Sequence, residues 1–219
     1  MSITNTIKTL NFFTTLDEVQ VELLAAISTI DSYEKDYILS YEKTQSEKLL
    51  FLVDGQAKSY KIDKHENEIF LFFINQNNML SEISNINKNQ QSFFSNIAFI
   101  ENSIVLSIDY KSFKNNFLNK NILNMEFANE IIARANKLES LINREFIFDA
   151  VAKVSMMIGS DLNMFNKLKR HNISLMLHIQ PSTLSRVLNR LKKDNIIDII
   201  QGKVSILDKN NLETIYKEW

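Results

Sequence analysis

The spacing of apolar positions changes character along the chain. Residues 16–30 (LDEVQVELLAAISTI) put Leu16, Val19, Leu23, Leu24 and Ile27 on one helical face and predict a short amphipathic helix. The pattern then turns strand-like: a continuous apolar run, KLLFLV (48–53), is followed by Asp54-Gly55 and by alternation through residue 62. Asp-Gly between two β-favouring runs predicts a hairpin, because glycine supplies the positive φ of a tight turn. A turn over DKHENE (63–68) leads into IFLFFI (69–74), residues 84–92 read as a loop, and 93–109 as two strands joined near Glu101-Asn102. Six or more short strands at this spacing predict an antiparallel β-roll or jelly roll.

From about residue 119 the rhythm is helical. Ala128, Ile131, Ala135, Leu138 and Ile142 recur three and four apart, a seam for a parallel partner helix or for the roll beside it. A long surface helix packed only on its own domain is the other reading. Residues 149–159 predict a helix closed by Gly159 as C-cap. KLKRHNISLMLHI (167–179) and QPSTLSRVLNRLKKDNII (180–197) predict two tightly joined helices, and 196–207 a hairpin around Gly202. The expected fold class is α+β, in three parts: a β-roll with flanking helices (1–118), a long helix and hinge (119–148), and a C-terminal unit (149–219).

Charge separates these parts. The net charge is −1, but residues 1–148 carry −5 and residues 149–219 carry +4, so a basic unit is attached to an acidic body. Cysteine is absent, which removes disulfides, cysteine-held zinc, iron–sulfur clusters and thiol nucleophiles. Glycines at 55, 159 and 202 cannot write a phosphate-binding glycine loop. The three histidines (65, 171 and 178) have no metal-ligand spacing, and no nucleophile–base pair stands out, so an enzyme is not expected. With no basic-then-apolar start and no apolar run near 18 residues, the expectation is a cytoplasmic protein without a membrane segment.

The basic unit carries the chemistry. Pro181 suits the first turn of a helix, where its missing N–H costs nothing. Leu184, Val187, Leu188 and Leu191 fall on one face; Ser182, Ser185, Arg186, Asn189 and Arg190 fall on the other, followed by Lys192 and Lys193. Short hydroxyls and an arginine near a helix start can reach base edges, and later cations can meet phosphates. Arg186 is the first choice for a bidentate contact to guanine. A solvated basic helix, or a winged unit that contacts a protein or other ligand instead of DNA, are the competing readings.

QPSTLSRVLNRLKKDNII followed by QGKVSILDKNNL resembles the winged helix–turn–helix of the Crp/Fnr transcription regulators, whose recognition helix carries a T-x-x-R core, here Thr183 to Arg186. The order of β-roll, long dimerisation helix and hinge aspartate, here Asp149, extends the resemblance over nearly the whole chain. It implies a homodimer through residues 119–142 on palindromic double-stranded DNA, contact with RNA polymerase, and action as an activator. Base selection would fall to Ser182, Ser185 and Arg186, with Ser182 where relatives carry glutamate. The family's cyclic-nucleotide cassette reads Gly-Glu-Leu and then Arg-Ser or Arg-Thr; here the places hold Ser81-Glu82-Ile83 and Phe93-Phe94. A phenyl ring cannot neutralise a phosphate, so the effector is expected to be something other than cyclic AMP, in an apolar pocket at Glu82, Phe93, Phe94 and Leu138. By the same resemblance haem, as in nitric oxide and carbon monoxide sensors, stays open as a cofactor.

Overall fold

The computed structural model describes residues 2–217, and the chain divides into two compact units, Met1–Lys137 and Leu138–Trp219. In the first unit, helices α1 (Ile3–Thr9) and α2 (Glu18–Ala26) precede strands β1 (Ser28–Tyr33), β2 (Ile38–Ser40), β3 (Gln45–Ser46), β4 (Lys48–Asp54), β5 (Gln56–Ile62), β6 (Glu68–Asn75), β7 (Gln91–Ser92), β8 (Asn96–Phe99) and β9 (Ser103–Asp109). Two antiparallel sheets, ordered β1-β9-β4 and β2-β8-β5-β6, form the roll. Helix α3 (Tyr110–Asn116) follows, then the long helix α4 (Asn124–Ile142), which crosses the division at 137/138.

The helix at 16–30 is shorter than its pattern suggests. Asp17 and Gln20 close a reciprocal capping box, and the chain is already in β1 at Ser28. Its buried positions are Val21 and Leu24; Val19 and Leu23 face solvent. The Asp54-Gly55 turn is a second correction. β4 and β5 meet there but do not pair: β4 pairs with β9, and β5 with β6 and β8. An apolar run without alternation needs cover on both faces. Leu49 and Phe51 enter the core under the helices, while Leu50 and Leu52 enter the core between the sheets. Gly55, at φ +92°, is therefore the corner where the chain changes sheet.

Few turns use glycine. Nine described non-glycine residues have positive φ, among them Lys43, Glu66, Asn121, Leu123, His178 and Gln201. Asn121 and Leu123 delay the start of α4 to residue 124, later than the periodicity alone implies.

In the second unit a five-residue π-helical turn, 143–147, ends the long helix, and Asp149 caps α5 (Ala150–Ser160) by accepting from Ala152 N–H at 2.8 Å. Helices α6 (Leu162–Lys167), α7 (Arg170–Met176) and α8 (Pro181–Lys193), the strands β10 (Ile197–Ile200) and β11 (Lys203–Ile206), and α9 (Lys209–Lys217) complete it. Gly159 lies inside α5 and is not its C-cap, which is Asp161. A Cβ at 159 would stand 2.5 Å from the Tyr216 hydroxyl, so this glycine lets α9 lie close on α5.

Candidate functional site

The helix–turn–helix is built by α7 and α8. Pro181 occupies the first turn of α8, and the Gln180 carbonyl accepts from Thr183 and Leu184 N–H. Leu184, Val187, Leu188 and Leu191 are buried with Ile173, Leu177, Ile197 and Val204. Each such side chain contributes about 1.5–3 kcal/mol, enough to fix which face of α8 turns outward. That outer face presents Ser182, Ser185, Arg186, Asn189 and Arg190 to solvent, with Thr183 half-buried. Arg186 is folded along its own helix: Nε donates to the Ser182 carbonyl at 3.4 Å and a terminal nitrogen to Thr183 Oγ1 at 3.1 Å. Ser185 Oγ donates to the Pro181 carbonyl at 3.1 Å.

The wing is tied to this helix. Lys192 Nζ lies 2.7 Å from Asp198 Oδ1 on β10, so this cation is already partnered. Arg170 stacks over Phe165 and donates to the Gly202 carbonyl at 2.7 Å. Asn166 bonds to β11 through both amide atoms: it donates to the Val204 carbonyl and accepts from Val204 N–H, each at 2.8 Å. Sequence periodicity does not reveal this brace, because it depends on one side chain standing in for a neighbouring strand.

His178 adopts the left-handed conformation in the turn before α8, at φ 51°. Its Nδ1 stands 2.8 Å from Glu145 Oε2 in the π-turn, and Arg144 Nε donates to Glu145 Oε1 at 2.8 Å. Lys153 Nζ is 4.0 Å from the same carboxylate and donates to the Leu177 carbonyl at 3.5 Å. Burial pushes the Glu145 carboxyl up, but its hydrogen bonds with His178 and Arg144, and their charges, outweigh burial and hold it below its ordinary range. A carboxyl held low stabilises the folded unit above its unfolded value, and the contribution is lost as pH falls through the lowered one. Glu145→Gln should therefore flatten the fall in melting temperature of the C-terminal unit between about pH 6 and about pH 3. An acid limb unchanged from wild type would show that this cluster does not contribute.

The first unit holds a second constellation. Glu82 is 3% exposed, and its carboxylate accepts from Phe94 N–H, from Ser95 Oγ at 2.8 Å and from Arg134 of α4. Ser95 Oγ lies 2.8 Å from Ser59 Oγ. Arg134 also lies over the Phe94 and Phe72 rings at 4.8 and 5.7 Å. Burial is the largest influence on Glu82 and raises its carboxyl, with Arg134, Ser95 and Phe94 opposing. The pocket expected at Glu82, Phe93, Phe94 and Leu138 takes a different form. Phe93 is spent in the core between the sheets, Phe94 carries the guanidinium, and Leu138 is solvent-exposed beyond the unit boundary. The cleft itself encloses about 50 Å³ and is lined by Phe72, Ile74, Met79, Ile83, Ile131 and Ala133 together with Glu130, Arg134 and Lys137. Its charged lining comes from α4, in a stretch whose periodicity reads only as a seam.

His65 lies in the turn before β6 and His171 on α7, both exposed. Among the described residues no group of three or more His, Asp or Glu is arranged to hold a metal ion, and no helix is long and apolar enough to cross a membrane.

A family model described as a Crp-like helix-turn-helix domain matches residues 157–215, and one described as a cyclic nucleotide-binding domain matches residues 30–120. The chain belongs to the Crp/Fnr family. Its resemblance to solved Crp/Fnr-type structures is one of fold. FixK2 from Bradyrhizobium japonicum aligns with a TM-score of 0.67 and 17% identity over 87% of this chain and 98% of that one. A CooA mutant from Carboxydothermus hydrogenoformans gives 0.67 and 18% over 93% and 94%. A Crp/Fnr regulator from Eubacterium rectale gives 0.64 and 16% over 95% and 98%. No curated protein matches the chain by sequence. The Crp/Fnr assignment makes it a DNA-binding transcription regulator, with the winged unit as the DNA-binding part and the roll as the cyclic-nucleotide-binding-like part.

Proposed function

We propose that the chain is a homodimeric activator that reads a palindromic site through α8 and is controlled by an effector other than cyclic AMP or an iron–sulfur cluster. Its parts are a sensor roll (1–118), a dimerisation helix and hinge (119–148, with Asp149 as the hinge aspartate) and a DNA-binding unit (149–219), with RNA polymerase as the further partner. The observation that carries the reading is the outer face of α8, where Ser182, Ser185, Arg186, Asn189 and Arg190 stand exposed on a helix whose other face is fully packed. Two such helices related by a dimer axis meet successive major grooves about 34 Å apart. Ile131, Leu138 and Ile142 of the seam are exposed in the single chain, as a dimer face requires.

Arg186 would leave its bonds to Ser182 and Thr183 to meet a guanine. Selection of the bound sequence from random DNA, followed by gel shift, tests this. Arg186→Ala should weaken specific binding by roughly 5–150-fold per half-site, the 1–3 kcal/mol of one bidentate contact, and relax preference at one base pair per half-site. Lys192, held by Asp198, would add less to phosphate binding than its position suggests. Leu138→Glu should give a monomer by sedimentation and abolish palindrome preference. Absence of DNA binding by wild type at low salt would overturn the proposal.

Two features support an effector other than cyclic AMP. Glu82 has its oxygens taken by the chain's own donors, and Phe93-Phe94 stand where relatives carry Arg-Ser or Arg-Thr, with Phe93 in the place of the phosphate-pairing arginine. The residues of the cleft do not fit haem either: about 50 Å³ is far below a porphyrin, and no histidine is among its lining residues.

A further inference from the structure

We propose that the cleft between β6 and α4 is the effector site and takes a short-chain carboxylate, its head on Lys137 and its tail among Ile74, Met79, Ile83 and Ile131. This rests on the regulator reading above and names the ligand class for its sensor unit. The cleft combines an apolar floor with two donors that lack acceptors. Arg134 Nε is buried without a hydrogen-bond partner, although one terminal nitrogen of that guanidinium serves Glu82 and the other donates to the Ser81 carbonyl at 3.4 Å. Lys137, one turn further on, has no carboxylate within 4.0 Å of Nζ among the described residues; its ammonium lies 5.8 Å from the Phe72 ring. Residues 134 and 137 share a face of α4. A carboxylate at the mouth would neutralise Lys137 and, with a small rotation of Arg134, supply the missing acceptor.

Size and charge narrow the class. A cavity of about 50 Å³ is a third of one that holds benzene (about 150 Å³), so the guest has a few heavy atoms. Glu130 lines the same cleft. Burial pushes its carboxyl up against the opposing charge of Lys137, and burial pushes the Lys137 ammonium down. An incoming anion favours a protonated Glu130 and a charged Lys137, so its binding takes up protons. The other charged group lining the cleft is Arg134, from the same helix, which is paired with Glu82 from the segment after β6.

Calorimetric titration of the full chain with formate, acetate, propionate, butyrate, nitrate and chloride tests this without DNA. Affinity should rise about fourfold per added methylene, the factor for burying one, up to the length the cleft holds, and should weaken on the alkaline side, as the Lys137 ammonium, held below its ordinary range by burial, loses its proton. Lys137→Met should lose at least tenfold while Lys137→Arg keeps most of the affinity and Arg186→Ala all of it. Equal heats for every anion, or binding unchanged in Lys137→Met, would overturn the site. Carboxylate binding that leaves the DNA affinity unmoved would uphold the pocket and overturn its role as effector site.

Discussion

Arg134→Leu is expected to lower the melting temperature of the N-terminal unit by about 10 °C at neutral pH. Glu82 is almost wholly buried and Arg134 is its charge partner, reaching across from α4. Breaking a buried pair by removing one member costs about 3–5 kcal/mol, because the other charge is left without compensation. The pH dependence identifies the mechanism. Burial already raises the Glu82 carboxyl, and without the guanidinium it rises further. A carboxyl raised on folding contributes stability below its unfolded value and loses it as pH climbs through the folded one. The deficit of Arg134→Leu should therefore shrink as pH falls into the carboxylate range and grow toward pH 8. Glu82→Leu with Arg134→Leu should recover most of the loss, since two apolar side chains leave no buried charge. Scanning calorimetry at about pH 5 and about pH 8 checks all three, and a deficit independent of pH would mean Arg134 acts through packing alone.

Gly55→Ala is the second large effect. The residue sits at φ +92°, and a Cβ there would lie 2.2 Å from Ser103 Oγ, 2.7 Å from the Asn102 carbonyl oxygen and 2.8 Å from Ser103 Cα. The last two are backbone atoms at the start of β9, one from its first residue and one from the residue before it, and cannot step aside cheaply. Conformational cost of about 1–2 kcal/mol and overpacking of about 1–3 kcal/mol together predict a loss of about 2–5 kcal/mol. Gly202→Ala separates the two contributions. That glycine is at φ +80° in the wing turn with nothing within 4 Å of a Cβ, so only the conformational part should appear. Denaturant midpoints of the two variants, at unchanged slope, give the comparison. Equal losses would show that the corner yields.

Legibility in the sequence followed the range of the interactions. The face of α8 was readable because its burial obeys a helical period and Pro181 marks its start. The strands were readable as strands, but not their partners: a continuous apolar run at 48–53 looks alike whether it ends in a hairpin or turns a corner between sheets. Gly159 reads as a cap because only the distant Tyr216 explains why it lacks a side chain. The cleft of the first unit was the least legible. Glu82 and Arg134 are 52 residues apart, and the arginine that matters comes from a helix whose apolar rhythm advertises dimerisation. The cassette position at Phe93 shows the missing arginine; three-dimensional placement shows the one that meets Glu82.

The glycine-poor turns have a consequence for the mutational history open to this fold. Lys43, Glu66 and Gln201 hold left-handed backbone in exposed turns, where their side chains add no core packing. Each could become glycine with a net gain of about 0.5–1 kcal/mol, the left-handed cost less glycine's greater entropy in the unfolded chain. These positions are headroom: substitutions that would offset a destabilising change in α8 or in the cleft beside α4, and let either surface vary without losing the fold.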